Sequence, residues 1–216
     1  MHIMHPTPAS HREVMETPAS SPWSRYALVL VDLQHDFWTA AEAATAPQLP
    51  ERVAALLADA RADGLTVVHV RACFRPDGRD WIRRYRLGSR IPCIEGTPGV
   101  EPLPFAVERP DEPVVTKHSF DGFLGSDLDE VLTRRGIRGL LIAGLVTSTC
   151  VLFTASTATQ RGYLVSVVAD CCSDRDERHH ATLATYPFVF DTVRSDEIAG
   201  RRAGWDADLD RMDAPC

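Results

Sequence analysis

The sequence predicts an α/β fold, a parallel sheet with helices on both sides. Two observations carry this. Short runs that are almost wholly apolar, as in strands buried on both faces, recur along the chain. They alternate with segments of helical spacing, several of them closed by glycine. A third observation gives the pattern chemical interest. Asp32, Lys117 and the segment from Gly144 to Cys150 each follow one of these apolar runs, and in open α/β sheets the chemistry gathers at the carboxyl ends of the strands.

The elements are justified in turn. Tyr26 to Val31 is a continuous apolar run ending at an acid, read as the first strand. Glu51 to Asp63 is rich in Ala and Leu at helical spacing, with Gly64 placed as a C-cap. Leu65 to Val70 is the second strand and Val114 to Thr116 a short third one, with Lys117 at its end. Ser126 to Arg135 reads as a helix, with Ser126 as its cap, acids in its first turn and Gly136 after it. Gly139 to Ala143 is the fourth strand, Thr149 to Arg161 a helix closed by Gly162, and Tyr163 to Ala169 the fifth strand. Arg175 to Thr185 is helical, and Phe188 to Val193 is the sixth strand. The stretch from Arg71 to Glu112 has no clear period. A loop of that length in a compact domain serves function or assembly. Its first half, to Arg90, holds seven arginines and two aspartates. It reads either as a solvated or subunit-contacting arm or as a holder of an anionic substrate.

Composition bounds the function classes. With 216 residues, 44% apolar and 25% charged, the chain suits one globular domain over 25–216. The segment 1–24, rich in Pro, Ser, Thr and His, is expected to be a mobile extension, and the protein cytoplasmic. A net charge of −7 argues against nucleic acid, and no apolar stretch approaches a membrane span. Six cysteines without a CxxC or zinc-type spacing predict neither a disulfide framework nor a metal site.

Lys117 is the only lysine, against twenty-two arginines. Arginine is permanently charged, whereas lysine is a compact ammonium whose pKa moves on burial. A lone lysine at a strand end therefore suggests a task that guanidinium cannot perform. Cys150 follows a strand-to-helix turn, where free backbone N–H groups and the helix dipole would favour a thiolate and could stabilise an oxyanion. The other reading is a buried structural cysteine. Asp32 could take the thiol proton or serve as a structural acid.

These residues resemble the isochorismatase-like cysteine hydrolases. Asp32-Leu33-Gln34-His35-Asp36-Phe37 is similar to their D-x-Q-x-x-F opening. Lys117 to Phe123, with Gly125-Ser126-Asp127-Leu128, resembles their lysine segment. Gly144 to Val151, with Thr154, Ala158, Gly162 and Asp170, resembles their nucleophile segment, and Glu95 to Gly99 a loop of several members. The resemblance runs from about Tyr26 to Ser195 and keeps the spacings of 85 and 33 residues between Asp32, Lys117 and Cys150. It implies a Rossmann-like three-layer α/β/α sandwich around a six-stranded, mainly parallel sheet. It also implies an Asp32–Lys117–Cys150 triad, a cis peptide at Leu145-Val146, and an oxyanion hole made by the Val146 and Cys150 N–H groups. The sequence departs from the pattern at Gly122, where alanine is common, and at Thr147-Ser148-Thr149, which lacks the acid of T-D-x-C members. Nicotinamidases of the family bind a metal through histidines, and Cys73 to Ile91 contains none. No metal or other cofactor is expected.

The implied reaction is hydrolysis of an amide, ureide or carbamoyl C–N bond in a small molecule. The alternatives are vinyl ether hydrolysis of the isochorismatase type and a non-catalytic small-molecule-binding homologue. Candidate substrate contacts are Phe37 and Trp38 after the base, Trp81, Arg84 and Tyr85 in the long loop, and His118, Phe120 and Phe123 after the lysine. Family members are commonly dimers or tetramers, which implies a homodimer or homotetramer.

Overall fold

The computed structural model describes residues 21–215 apart from 89 and 176. The chain runs β1 (Tyr26–Val31), α1 (Ala40–Thr45), α2 (Leu49–Asp63), β2 (Thr66–Ala72), β3 (Val114–Lys117), α3 (Leu128–Arg134), β4 (Gly139–Leu145), α4 (Leu152–Gln160), β5 (Leu164–Ser173), α5 (Arg178–Thr185), β6 (Asp191–Val193) and α6 (Ile198–Asp213). The six strands form one sheet in the order β3-β2-β1-β4-β5-β6, with every pair parallel. The chain builds outward from β1 to β3, crosses back, and builds outward again from β4 to β6. Right-handed crossovers in the two directions put helices on both faces. The strand order reverses between β1 and β4, and a crevice opens there at the carboxyl edge.

The central strands are apolar because both faces are covered. All residues of β1 and β4 are buried, and one core cluster runs from Trp23 to Leu209. Gly64 ends α2 in the left-handed region at φ 74° and returns its N–H to Ala60 O, as expected of a C-cap. Ser126, expected to cap α3, lies one residue before its N-cap Asp127; its Oγ accepts the Leu128 N–H at 3.2 Å, and Asp127 makes no side-chain cap bond.

Several boundaries differ from expectation. β2 runs on through Arg71, whose charge is met by Glu108. β5 runs four residues beyond Ala169. Ile142 pairs with Val167 but Gly144 pairs with Cys172, so β5 carries three more residues than β4 over that interval. β6 begins at Asp191, and Phe188, expected within it, is 80% exposed. The charged helix α6 was not legible because only Ile198, Trp205 and Leu209 are buried along it. The extension expected over 1–24 lies outside the described residues as far as position 20. Beyond that, Trp23 is buried edge-to-face against Tyr26, and Ser21 Oγ donates to Asp63 O at 2.9 Å. These residues therefore belong to the packed domain.

The long loop is ordered by a small core of its own. Ala72, Phe74 and Cys93 are buried together under Trp81, Ile82, Tyr85, Ile91 and Ile94, with 3-10 turns at Arg83–Leu87, Pro98–Val100 and Pro104–Ala106. Asp36 fastens it, accepting the Cys93 N–H at 2.7 Å and pairing with Arg90. A Cβ at Gly99 would meet Asp36 Oδ2 at 2.1 Å, so only glycine leaves room for that carboxylate.

Candidate active site

Three strand ends deliver three side chains to one point. Asp32 follows β1 and adopts φ 51°, unusual for a residue with a Cβ. Its Oδ1 accepts the Ala72 N–H at 3.0 Å. Gln34, two residues on, grips the same residue from both sides: its Oε1 accepts the Ala72 N–H at 2.9 Å, and its Nε2 donates to Ala72 O at 2.8 Å and to Val100 O at 2.7 Å. The D-x-Q spacing thus locks the end of β1 to the end of β2. Lys117, the last residue of β3, reaches Asp32 Oδ2 at 2.8 Å, Ser119 O at 2.8 Å and Cys150 Sγ at 3.6 Å.

β4 delivers the cysteine through a bent end. Gly144 sits at φ 134°, and a Cβ there would meet Val31 O at 2.0 Å. Only glycine lets β4 approach β1 this closely at the switch point. The Leu145-Val146 peptide that follows is cis. A π-helical turn, Thr147–Val151, then carries Cys150 into α4.

Asp32, Lys117 and Cys150 are 0, 1 and 5% exposed. Burial alone would lower the Lys117 pKa, but the Asp32 carboxylate at 2.8 Å outweighs it and raises it. The Cys150 thiol is pushed up, first by burial and then by the Asp32 carboxylate, with Lys117 opposing. The helix N-terminus and one ammonium do not offset the loss of water around sulfur beside an anion.

The candidate substrate contacts divide. Tyr85 stands edge-on to Phe74 at 5.5 Å and to Phe120 at 5.9 Å. Its hydroxyl is pushed up by burial and then by Cys150, with Lys117 opposing. Phe37 lines a cavity of about 230 Å³ with Val146, Ser148 and Thr149. The others have partners of their own. Trp38 packs edge-on to Phe105. Trp81 donates its Nε1–H to Arg75 O at 2.7 Å. Arg84 is exposed. His118 Nδ1 bonds Cys73 O at 2.7 Å. Phe123 is a core residue against Tyr163, under Arg161. Gly122, one of the departures from the family pattern, has its reason here. Its N–H bonds Thr154 Oγ1 at 2.9 Å, and a Cβ would meet Thr154 Cγ2 at 3.0 Å.

Sequence reasoning missed the contribution of the segment after β5. Asp174, buried, accepts the Ser148 N–H at 2.8 Å and so supplies a carboxylate to the turn from another strand. Arg175 and Arg178 line the Phe37 cavity, and Arg175 Nε pairs with the buried Glu42 at 2.8 Å. The carboxyl-end rule would have found Asp174 had β5 been read to its true end. The arginines of the long loop are largely engaged elsewhere, Arg71 with Glu108, Arg79 with Asp77 and Arg90 with Asp36. Among the described residues, no group of three or more His, Cys, Asp or Glu is placed to hold a metal ion, and no helix is long and apolar enough to cross a membrane.

Comparison with known proteins agrees with this geometry. The family described as the Isochorismatase domain matches residues 26–194. Maleamate amidohydrolase of Pseudomonas putida is 30% identical over 165 residues, covering 73% of this chain and 76% of that protein. The crystal structure of an isochorismatase family protein from Desulfovibrio vulgaris is 31% identical, with a TM-score of 0.76, over 83% of this chain and 98% of that one. N-carbamoylsarcosine amidase from Thermoplasma acidophilum is 28% identical, with a TM-score of 0.69, over 80% and 98%. The chain belongs to the isochorismatase family and is a hydrolase.

Proposed function

We propose that this protein hydrolyses the C–N bond of a small amide, ureide or carbamoyl compound through a thioester on Cys150. The observation that carries this is the Lys117 ammonium, 2.8 Å from Asp32 and 3.6 Å from Cys150, with all three side chains buried. Asp32 takes the thiol proton as sulfur attacks the carbonyl carbon. The transfer exchanges one anion for another beside a fixed cation, so the net charge of the pocket does not change. That suits a site where an added charge would go unsolvated. The Val146 and Cys150 N–H groups receive the oxyanion. Asp32 returns the proton to the leaving nitrogen, the C–N bond breaks and the amine departs. Asp32 then draws a proton from water, which attacks the thioester. The acid leaves and the thiol is restored.

A substrate that carries a carboxylate beside its amide is the class to test first: Arg178 lines the neighbouring cavity, although Asp36, Glu42 and Asp174 line it too and Arg175 is paired with Glu42. The names of two relatives, maleamate and N-carbamoylsarcosine, denote compounds of that kind. The test is ammonia release from monoamides of dicarboxylic acids and from N-carbamoyl amino acids, set against neutral amides, with Cys150→Ala as control. Turnover of acid-bearing amides that vanishes in the variant supports this function. Equal turnover by Cys150→Ala excludes the thioester.

A further inference from the structure

Behind the turn that presents Cys150 lies a second cavity, also of about 230 Å³, lined by residues of α2, β5 and α5, among them Arg52, Asp170, Asp174, His179 and His180. Its wall touches the turn twice. Asp174 Oδ2 accepts the Ser148 N–H at 2.8 Å, and His179 Nδ1 lies 2.8 Å from Thr147 Oγ1. Thr147 is 1% exposed. Within the turn, the Thr149 and Val151 N–H groups both point to Val146 O, at 3.1 and 3.3 Å. Part of what holds the turn in place is therefore supplied from outside it, by the segment that follows β5.

We propose that His179 is a positioning residue: through Thr147 it holds the turn that carries Cys150, and only the neutral imidazole does so. This rests on Cys150 being the nucleophile. In the neutral tautomer that carries its proton on Nε2, the one the proposal requires, the Thr147 hydroxyl donates to Nδ1. A protonated ring carries N–H at both nitrogens. The bond must then reverse, and the buried Thr147 proton loses its acceptor. The charged and titratable groups facing His179 come from each element around it. His180, on α5, stands edge-on at 4.9 Å. Asp174 is committed to the Ser148 and Arg175 N–H groups. Asp170, on β5, accepts from Ser195 N and Oγ, both at 2.8 Å. Arg52, on α2, bonds Gln48. Burial, then His180, holds His179 below the ordinary histidine range, with Asp174 opposing. The ring is therefore neutral at neutral pH and takes its proton only as the medium becomes acidic.

The experiment follows two rates in the purified full-length protein, ammonia release and alkylation of Cys150 by iodoacetamide, read by peptide mass spectrometry across pH. His179→Phe is expected to lower kcat and the Cys150 alkylation rate by roughly tenfold to a hundredfold, with KM changed little, because a small misplacement of a reacting group costs about that much. His179→Asn, which keeps a polar atom near the Nδ1 position but cannot be protonated, is expected to restore most of the rate and to remove the His179-dependent part of the acid limb expected of the wild type. Thr147→Val should match His179→Phe, and the double variant should be no worse than either single one, since both remove the same bond. That comparison serves if His179→Phe alone folds poorly. Wild-type rates in both Thr147→Val and His179→Phe overturn the proposal, as does an unchanged acid limb in His179→Asn or additive losses in the double variant. Wild-type Cys150 alkylating no faster than the other buried thiols would instead sink the nucleophile itself, a separate result.

Discussion

The Lys117 ammonium and the Asp32 carboxylate, both buried, form an ion pair at 2.8 Å. Each is tolerable in the interior because of the other. Lys117→Met is expected to strand the Asp32 charge, to cost about 3–5 kcal/mol of stability at neutral pH, and to abolish turnover. Lys117→Arg keeps the charge, but its wider fork has no room among Asp32, Ser119 O and Cys150. Thermal denaturation and ammonia release read both effects. Near-native rates in the arginine variant would mean that the lysine is incidental.

The glycine at position 144 is dictated by contact. Gly144→Ala would drive a methyl group to 2.0 Å from Val31 O in a backbone region that L residues avoid. The central pair of the sheet must then part, at an expected cost of about 3 kcal/mol or more. A melting temperature within about two degrees of the wild type would contradict this reading of β1 and β4.

Gln34 should behave as a structural partner of the acid beside it. Gln34→Leu leaves the Ala72 and Val100 carbonyls without the donor they share now. The expected loss is about 2–4 kcal/mol, with KM and kcat degraded together as Asp32 loses its seat. A variant that is stable but inactive would instead place Gln34 in contact with substrate.

Far from the site, Glu112 joins Arg61, at 2.7 Å, and the buried His69, at 3.0 Å. Burial alone would raise its pKa, but the bonds from Arg61, the Arg109 N–H and His69 lower it from 4.5 to about 2. A depressed carboxyl stabilises the fold above its unfolded pKa and loses that contribution as pH falls from 4.5 towards 2. At neutral pH the contribution is about 3 kcal/mol. Glu112→Gln should therefore melt well below the wild type at pH 7 and converge with it at the acid end of that window. Parallel melting curves across the range would refute the assignment.

Much of the fold was legible because burial on both faces leaves an unmistakable apolar run. β1 shows this most plainly, since all six of its residues are core. Legibility failed where the rule of apolar strands is broken locally. Arg71 sits within β2 because Glu108 neutralises it, and Asp170 to Ser173 extend β5 past its apolar part. The second failure mattered for the site, since it hid Asp174 and, beyond it, Arg175, Arg178 and His179. The aromatic candidates could not be sorted from sequence either. Tyr85 and Phe123 look alike on paper, yet one packs against Phe74 and Phe120 in the small core of the long loop and the other on Tyr163 in the main core.

By itself the sequence determined which residue types could do chemistry and which strand ends would carry them, because hydrophobic periodicity and the single lysine are local facts. Tertiary structure decided that Lys117, from the edge strand β3, reaches across to Asp32 and Cys150. It also brought the segment after β5 against the nucleophile turn. These outcomes depend on distance and on the exclusion of water, and both exist only once the sheet has formed.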